Sequence, residues 1–233
     1  MTKTLYSFAV FLMTLNLCLS QSSFKAVYND GYYPFLLSIP PDSISNQGPV
    51  PLLIFLHGRS LSGEDLNLVK KYGVLHEMEK KGRFVPGYVI GPQVKKGESW
   101  NADKLLKLVN YMIRNYNIDS TRIYVAGMSL GGYGTLHFAG KYPEKITAAV
   151  ALCGGGDTRD ACRLATIPLW IEHGEKDEAV PVQESIKMAD AIKKCDGGQK
   201  LKFIIQPDAD HGDLEKIFRT DDFYNWLFQK RRN

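Results

Sequence analysis

Arg122-Ile123-Tyr124-Val125-Ala126-Gly127-Met128-Ser129-Leu130-Gly131-Gly132-Tyr133-Gly134 decides how the rest of the chain is read. Ile123 to Ala126 is a short apolar run of β-forming residues, preceded by the polar Asp119-Ser120-Thr121. From Leu130 onward the pattern suits a helix. A strand that turns at once into a helix forces the residue between them into a strained backbone conformation. Glycine on either side lets the two backbones approach. The Gly127-x-Ser129-x-Gly131 spacing therefore predicts a sharp elbow with the Ser129 hydroxyl at its tip. The N–H of Leu130, with the helix dipole behind it, would stabilise negative charge formed there. The same spacing also describes a glycine-rich turn in which Ser129 merely caps a helix, so the flanking chain has to decide.

Upstream, Pro51-Leu52-Leu53-Ile54-Phe55-Leu56 is a continuous apolar run of strand length, the pattern of a strand covered on both faces. It ends in His57-Gly58-Arg59-Ser60-Leu61, a loop that can offer the Arg59 N–H as a second donor to an oxyanion. His57 is read as ordering that loop. Before it, Ser23 to Pro41 reads as two edge strands and Asp42 to Pro49 as a polar loop. After it come a helical pattern from Glu64 to Lys81, a strand from Gly87 to Pro92 and an amphipathic helix from Ala102 to Tyr116. Trp100, on the loop leaving the Gly87–Pro92 strand, either lines a substrate pocket as a flat apolar wall or packs onto the sheet.

Downstream, Leu130 to Lys141 is helical and stops before Tyr142-Pro143, with His137 a packed or surface residue. Strands follow at Ile146–Leu152, Pro168–Gly174 and Leu201–Ile205, separated by a short helix over Thr158–Leu164 and a longer one over Val182–Lys194. An aromatic-rich helix over Phe218–Phe228 closes the chain. Alternating strands and helices after an antiparallel start predict a mostly parallel sheet with helices on both faces, in one domain over residues 21–233. No large lid insertion is visible.

A serine hydroxyl needs a base to take its proton, and the base needs an acid to orient it. In such a sheet active groups collect at the carboxyl ends of the strands. Three loops there supply Ser129, Asp177 and His211, in the chain order serine, acid, histidine. Asp157, Asp208 and Asp210 are competing loop carboxylates: Asp210 adjoins His211 and reads as a turn residue, and Asp157 follows an earlier strand. His173 is read as structural.

With these residues in place, the chain resembles the α/β-hydrolase superfamily from about Tyr33 to Gln229. The resemblance is closest to the phospholipase/carboxylesterase group and to esterases of the dienelactone-hydrolase type. It rests on Leu56-His57-Gly58, on Gly127-Met128-Ser129-Leu130-Gly131-Gly132 and on Tyr142-Pro143. It rests further on His173-Gly174-Glu175-Lys176-Asp177 with Val180-Pro181, and on Asp210-His211-Gly212. It implies the α/β-hydrolase fold and an ester hydrolase working through Ser129, His211 and Asp177 with oxyanion donors at Leu130 and Arg59. No metal or organic cofactor is expected. Feruloyl or acetyl esters, free or linked to polysaccharide, are the expected substrates. A serine peptidase of the prolyl-oligopeptidase type would share the triad, and a binding module could keep the fold without activity.

The remaining features set bounds. With 44% hydrophobic residues and a net charge of +4, the 233-residue chain is ordinary for a globular protein. The only basic cluster is Lys230-Arg231-Arg232, so the footprint of a nucleic-acid binder is missing. Residues 1–20 read as a secretory signal peptide: Lys3, then an uncharged apolar run from Leu5 to Leu19, then Ser20. That run is short for a membrane span. Lipidation at Cys18 fits poorly, because small residues are expected before the cysteine. The expected location is therefore secreted or periplasmic. Of the four cysteines, Cys153, Cys162 and Cys195 remain after cleavage. Cys153 and Cys162 either pair across their short loop or stay as buried thiols.

Overall fold

The computed structural model describes residues 23–196 and 198–232; the expectations for the N-terminal twenty residues, Cys18 included, lie outside the described residues. Eight strands form one sheet in the order β1-β2-β4-β3-β5-β6-β7-β8. β1 (Phe24–Val27) and β2 (Phe35–Ser38) are antiparallel, as their turn residues require. From β3 (Val50–Leu56) and β4 (Tyr88–Pro92) onward every pairing is parallel. β5 (Ile118–Met128) sits centrally, followed outward by β6 (Ala148–Leu152), β7 (Leu169–Gly174) and β8 (Leu201–Gln206).

Side chains alternate across β3. Leu52, Ile54 and Leu56 join the cluster packed beneath α3 (Ala102–Asn115), α4 (Leu130–Lys141) and α6 (Gln183–Asp196). Leu53 and Phe55 join the opposite cluster, beneath α2 (Val74–Lys81) and α7 (Asp221–Phe228). Both faces of the sheet are therefore covered. Each such buried side chain stabilises the fold by roughly 1.5–3 kcal/mol.

Several element boundaries differ from the sequence reading, each for a local reason. The Glu64–Lys81 pattern divides into a 3-10 turn over Leu66–Lys70 and α2, because Gly73 between them has φ +75°. Gly73 lies under the Phe55 ring, where a Cβ would come within 2.1 Å of the ring. The closing aromatic helix divides too. A 3-10 segment covers Asp213–Arg219, and α7 starts anew where the Thr220 hydroxyl accepts the Phe223 N–H at 3.3 Å. The polar loop after β2 contains the short helix α1 (Asp42–Ser45). β5 starts earlier than its apolar run, with Asp119 accepting from the Thr121 and Arg122 side chains inside it.

The cysteines pair differently as well. Cys162, in the short helix α5 (Ala161–Leu164), is bonded to Cys195 of α6, and Cys153 is a buried free thiol. The Cys153–Cys162 alternative fails because Cys153 directly follows β6 on the site side of the sheet, with its sulfur 3.9 Å from the His211 carbonyl. α5 instead turns Cys162 toward α6.

Candidate active site

The elbow forms as its glycines demand. Ser129 has φ +60° and ψ −122°, and its side chain makes no capping bond to α4, which leaves the hydroxyl uncommitted. A Cβ on Gly131 would lie 1.8 Å from the Leu56 carbonyl oxygen, and one on Gly127 would lie 2.4 Å from the Gly131 carbonyl oxygen. The glycine spacing is therefore a packing requirement between β3, β5 and α4. Ser129 is strained between them, and the Leu130 N–H opens the helix beside it.

The loop after β3 approaches the same point. A Cβ on Gly58 would stand 3.5 Å from Ser129 Cβ, which brings the Gly58–Arg59 backbone alongside the hydroxyl. His57 fixes that backbone. Its Nδ1–H donates to the Gly58 carbonyl at 2.7 Å, and its Nε2 accepts the Val94 N–H at 3.2 Å. Those two bonds need the neutral ring. Burial, partly offset by the bond to Gly58, pushes the group down to about 4. Gln93 supports the loop further on, donating to the Leu61 and Asp65 carbonyls at 2.8 and 2.9 Å.

Trp100 does not wall the pocket. It is 5% exposed, its indole N–H donates to the His57 carbonyl at 3.3 Å, and its ring stacks edge-on against His57 and Tyr33. The reason is Gly134, whose missing side chain opens a slot in α4 that the indole fills. Trp100 therefore braces the loop that carries Arg59 from beneath.

On the other side, the loops after β7 and β8 bring the acid and the imidazole together. His211 Nδ1 donates to Asp177 Oδ2 at 2.6 Å. Asp177 Oδ1 accepts the N–H groups of Ala179 and Val180 at 2.9 and 2.8 Å. Burial alone would raise this carboxyl, but donation from Val180 and His211 outweighs it and holds Asp177 below the usual carboxylate range. The competing carboxylates are engaged elsewhere: Asp157 with Arg159, Asp208 with Lys176 at 2.8 Å, and Asp210 with the Asp213 N–H at 2.9 Å.

Ser129, Leu130, Arg59 and His211 line one cavity of about 790 Å³. Its walls are largely apolar, with Phe55, Met128, Val180 and Phe218. Tyr72, whose hydroxyl bonds Ser60, and Glu215 supply polar edges.

Sequence reasoning missed a buried cluster behind the acid. Cys153, His173 and Asp177 offer ligand-type atoms within 4.8 Å of one another. A metal does not suit them, since His173 Nε2 already carries a proton toward the Val180 carbonyl at 2.9 Å. Burial, followed by the nearby Asp177 charge, pushes the Cys153 thiol up. The His173–Asp177 spacing of four residues was the available hint.

This architecture, with a serine elbow after the central strand and an acid and a histidine on the next loops, defines an α/β-hydrolase. Comparison with known proteins narrows the class. The chain belongs to the dienelactone hydrolase family, whose profile matches residues 88–222, more than half of its length. It is 29% identical over 150 residues to a bifunctional acetylxylan esterase/xylanase of Neocallimastix patriciarum, covering 60% of this chain and 21% of that protein. It is 44% identical over 50 residues to feruloyl esterase B of Neurospora crassa, covering 22% of this chain and 17% of that protein. The chain thus matches only a minor part of these curated relatives. Among solved structures, a thermostable esterase superposes with a TM-score of 0.79 at 27% identity, over 92% of this chain and 64% of that one. The feruloyl esterase module of Clostridium thermocellum shares the fold at 14% identity, with a TM-score of 0.67 over 92% and 91% of the two chains. Among the described residues, no helix is long and apolar enough to cross a membrane.

Proposed function

We propose that this chain is an exported serine esterase that cleaves carboxylic esters through an acyl-enzyme. His211 takes the proton of Ser129, whose oxygen attacks the ester carbonyl. The N–H groups of Leu130 and Arg59 hold the resulting oxyanion. His211, its positive charge stabilised by Asp177, protonates the leaving alcohol, and water activated by the same imidazole then releases the acid. The observation that carries this reading is the 2.6 Å bond from His211 to Asp177 beside a cavity that His211 shares with the strained Ser129.

The favoured substrates are acetyl and feruloyl esters, free or attached to polysaccharide. The names of the relatives support this class, and the apolar walls of the 790 Å³ cavity have room for an aromatic acid. Residues 21–233 are the catalytic domain and residues 1–20 an export signal, which N-terminal sequencing of the secreted protein would check. The test of activity is hydrolysis of p-nitrophenyl acetate and methyl ferulate by the wild type and Ser129→Ala. The variant should lose at least about a thousand-fold in kcat/KM. Equal turnover by the two proteins would remove Ser129 from the mechanism.

A further inference from the structure

Asp177 serves two histidines. Its Oδ2 accepts from His211 Nδ1 at 2.6 Å on the cavity side, and His173 Nε2 lies 3.1 Å from the same oxygen on the interior side, at ion-pair distance. The side chains of Asp177 and His173 have no exposed surface, whereas that of His211 is 27% exposed. His173 is thus a buried second partner of the carboxylate that orients the base.

The hydrogen-bond partners of the ring point to its state. His173 Nε2 faces the Val180 carbonyl at 2.9 Å, which can only accept, so Nε2 carries a hydrogen. His173 Nδ1 lies 2.7 Å from Ser185 Oγ. The single hydrogen of that hydroxyl is donated to the Gly154 carbonyl at 2.7 Å. Nδ1 therefore meets an oxygen lone pair and carries a hydrogen as well. An imidazole with hydrogens on both nitrogens is a cation, and here it lies against a buried carboxylate that compensates it.

We propose that His173 is a positioning residue of the acid–base pair, held as an imidazolium against Asp177, which weakens the hold of His211 on a proton and keeps it a working base in mildly acidic medium. The proposal rests on the reading of Ser129, His211 and Asp177 as a triad. Its physical content is that two imidazoles lie against one carboxylate oxygen, one hydrogen-bonded to it and the other at ion-pair distance. When His211 is protonated, Asp177 sits between two cations, and their repulsion lowers the pH at which His211 charges. The bonds of Ser185 to His173 and Gly154 tie α6 and the loop after β6 to the same unit.

Other charged groups nearby are common to the wild type and any His173 variant. Arg59 and Glu215 line the cavity. Glu184 lies beside Tyr133, and burial and then Glu184 raise the Tyr133 phenol. Glu172, on β7, is held by the Trp170 indole at 2.8 Å and Gln206 at 2.6 Å. Asp210, next to His211, is engaged with Asp213. The buried Cys153 thiol is neutral. Differences between the proteins therefore isolate His173.

The experiment is the pH profile of kcat/KM for p-nitrophenyl acetate between about pH 4 and 9, the range over which histidine titrates. It compares the wild type, His173→Gln and Ser185→Ala. Glutamine keeps an N–H donor for the Val180 carbonyl without the charge beside Asp177; Ser185→Ala removes the acceptor that stabilises the second ring hydrogen. In both variants the acid limb should move to higher pH by roughly one unit. A purely structural role would lower the plateau and leave the limb in place, and that result in a variant with wild-type circular dichroism overturns the proposal. Nitrogen-15 NMR of the wild type needs no variant to fold. Both His173 ring nitrogens should be protonated at pH 7, and a neutral ring overturns the proposal. If Ser129→Ala retains full activity, the triad reading fails separately, while the NMR result still reports the His173 charge.

Discussion

His57 offers a sharp test, because its bonding demands the neutral ring. In the folded protein its Nδ1 donates to the Gly58 carbonyl and its Nε2 accepts from Val94, so a second proton would break the bond to Val94. The folded group titrates at about 4 against an ordinary 6.5. As pH falls from above 6.5, the unfolded imidazole takes up a proton that the folded one refuses, and stability declines. The decline ends at about pH 4, below which both states are protonated. One pH unit of displacement corresponds to about 1.4 kcal/mol, so moving the group from 6.5 to about 4 makes the loss about 3 kcal/mol at most. The assay is urea unfolding of the wild type and His57→Gln at closely spaced pH values from 7.5 to 4. The variant should be less stable at neutral pH, and its stability should fall less steeply across this window. Parallel pH dependences in the two proteins would refute the buried neutral imidazole. Because the same ring orients the Gly58–Arg59 peptide, the variant should also lose kcat with little change in KM, as expected when an oxyanion donor is misplaced.

Three further outcomes follow from the packing. Gly131→Ala should give no active folded enzyme, since its Cβ would stand 1.8 Å from the Leu56 carbonyl oxygen, a backbone atom of the neighbouring strand; soluble yield and esterase turnover report this. Trp100→Phe keeps an aromatic ring but drops the indole bond to the His57 carbonyl. It should cost about 1 kcal/mol in urea unfolding and reduce kcat while leaving substrate preference unchanged; altered acyl preference would restore Trp100 to the pocket wall. Opening the Cys162–Cys195 bridge, which spans 33 residues of sequence, should cost about 3–4 kcal/mol. Thermal melts of Cys162→Ser with Cys195→Ser would measure it, and an unchanged melting temperature would count against the chain-entropy account.

How far the sequence carries the reader depends on the range of the interaction. The elbow was legible because Gly127 and Gly131 answer to steric demands from adjacent elements, which their spacing records. The pairing of Asp177 with His211 was legible because chain order and position at strand ends limit the choices. The Cys162 partner was not, since it depends on how α5 lies against α6, a contact between residues 33 apart. The direction of Trp100 depended on a slot at Gly134, visible only once α4 and the loop before α3 are packed together. Gly73 inside an apparent helical run was a usable hint of a break, and its φ of +75° explains it. The hydrogen count at His173 needed distances, because Ser185, Gly154 and Val180 come to it from three separate segments.

The last turns of the chain have a bearing on how the enzyme tolerates attachments. The Lys230 carbonyl accepts the Tyr124 hydroxyl at 2.6 Å, and the Arg232 N–H reaches the Thr121 carbonyl at 3.0 Å. The Arg232 bond moors the tail near the start of β5 and the Tyr124 bond holds it along the strand, whereas Ser129 stands just past the strand's end. At about 3.3 Å per residue, the eight residues from Thr121 to Ser129 separate the two poles by roughly 25 Å. A bead, dye or carrier coupled at Arg232 would therefore hang from the base of the sheet, away from the mouth of the cavity.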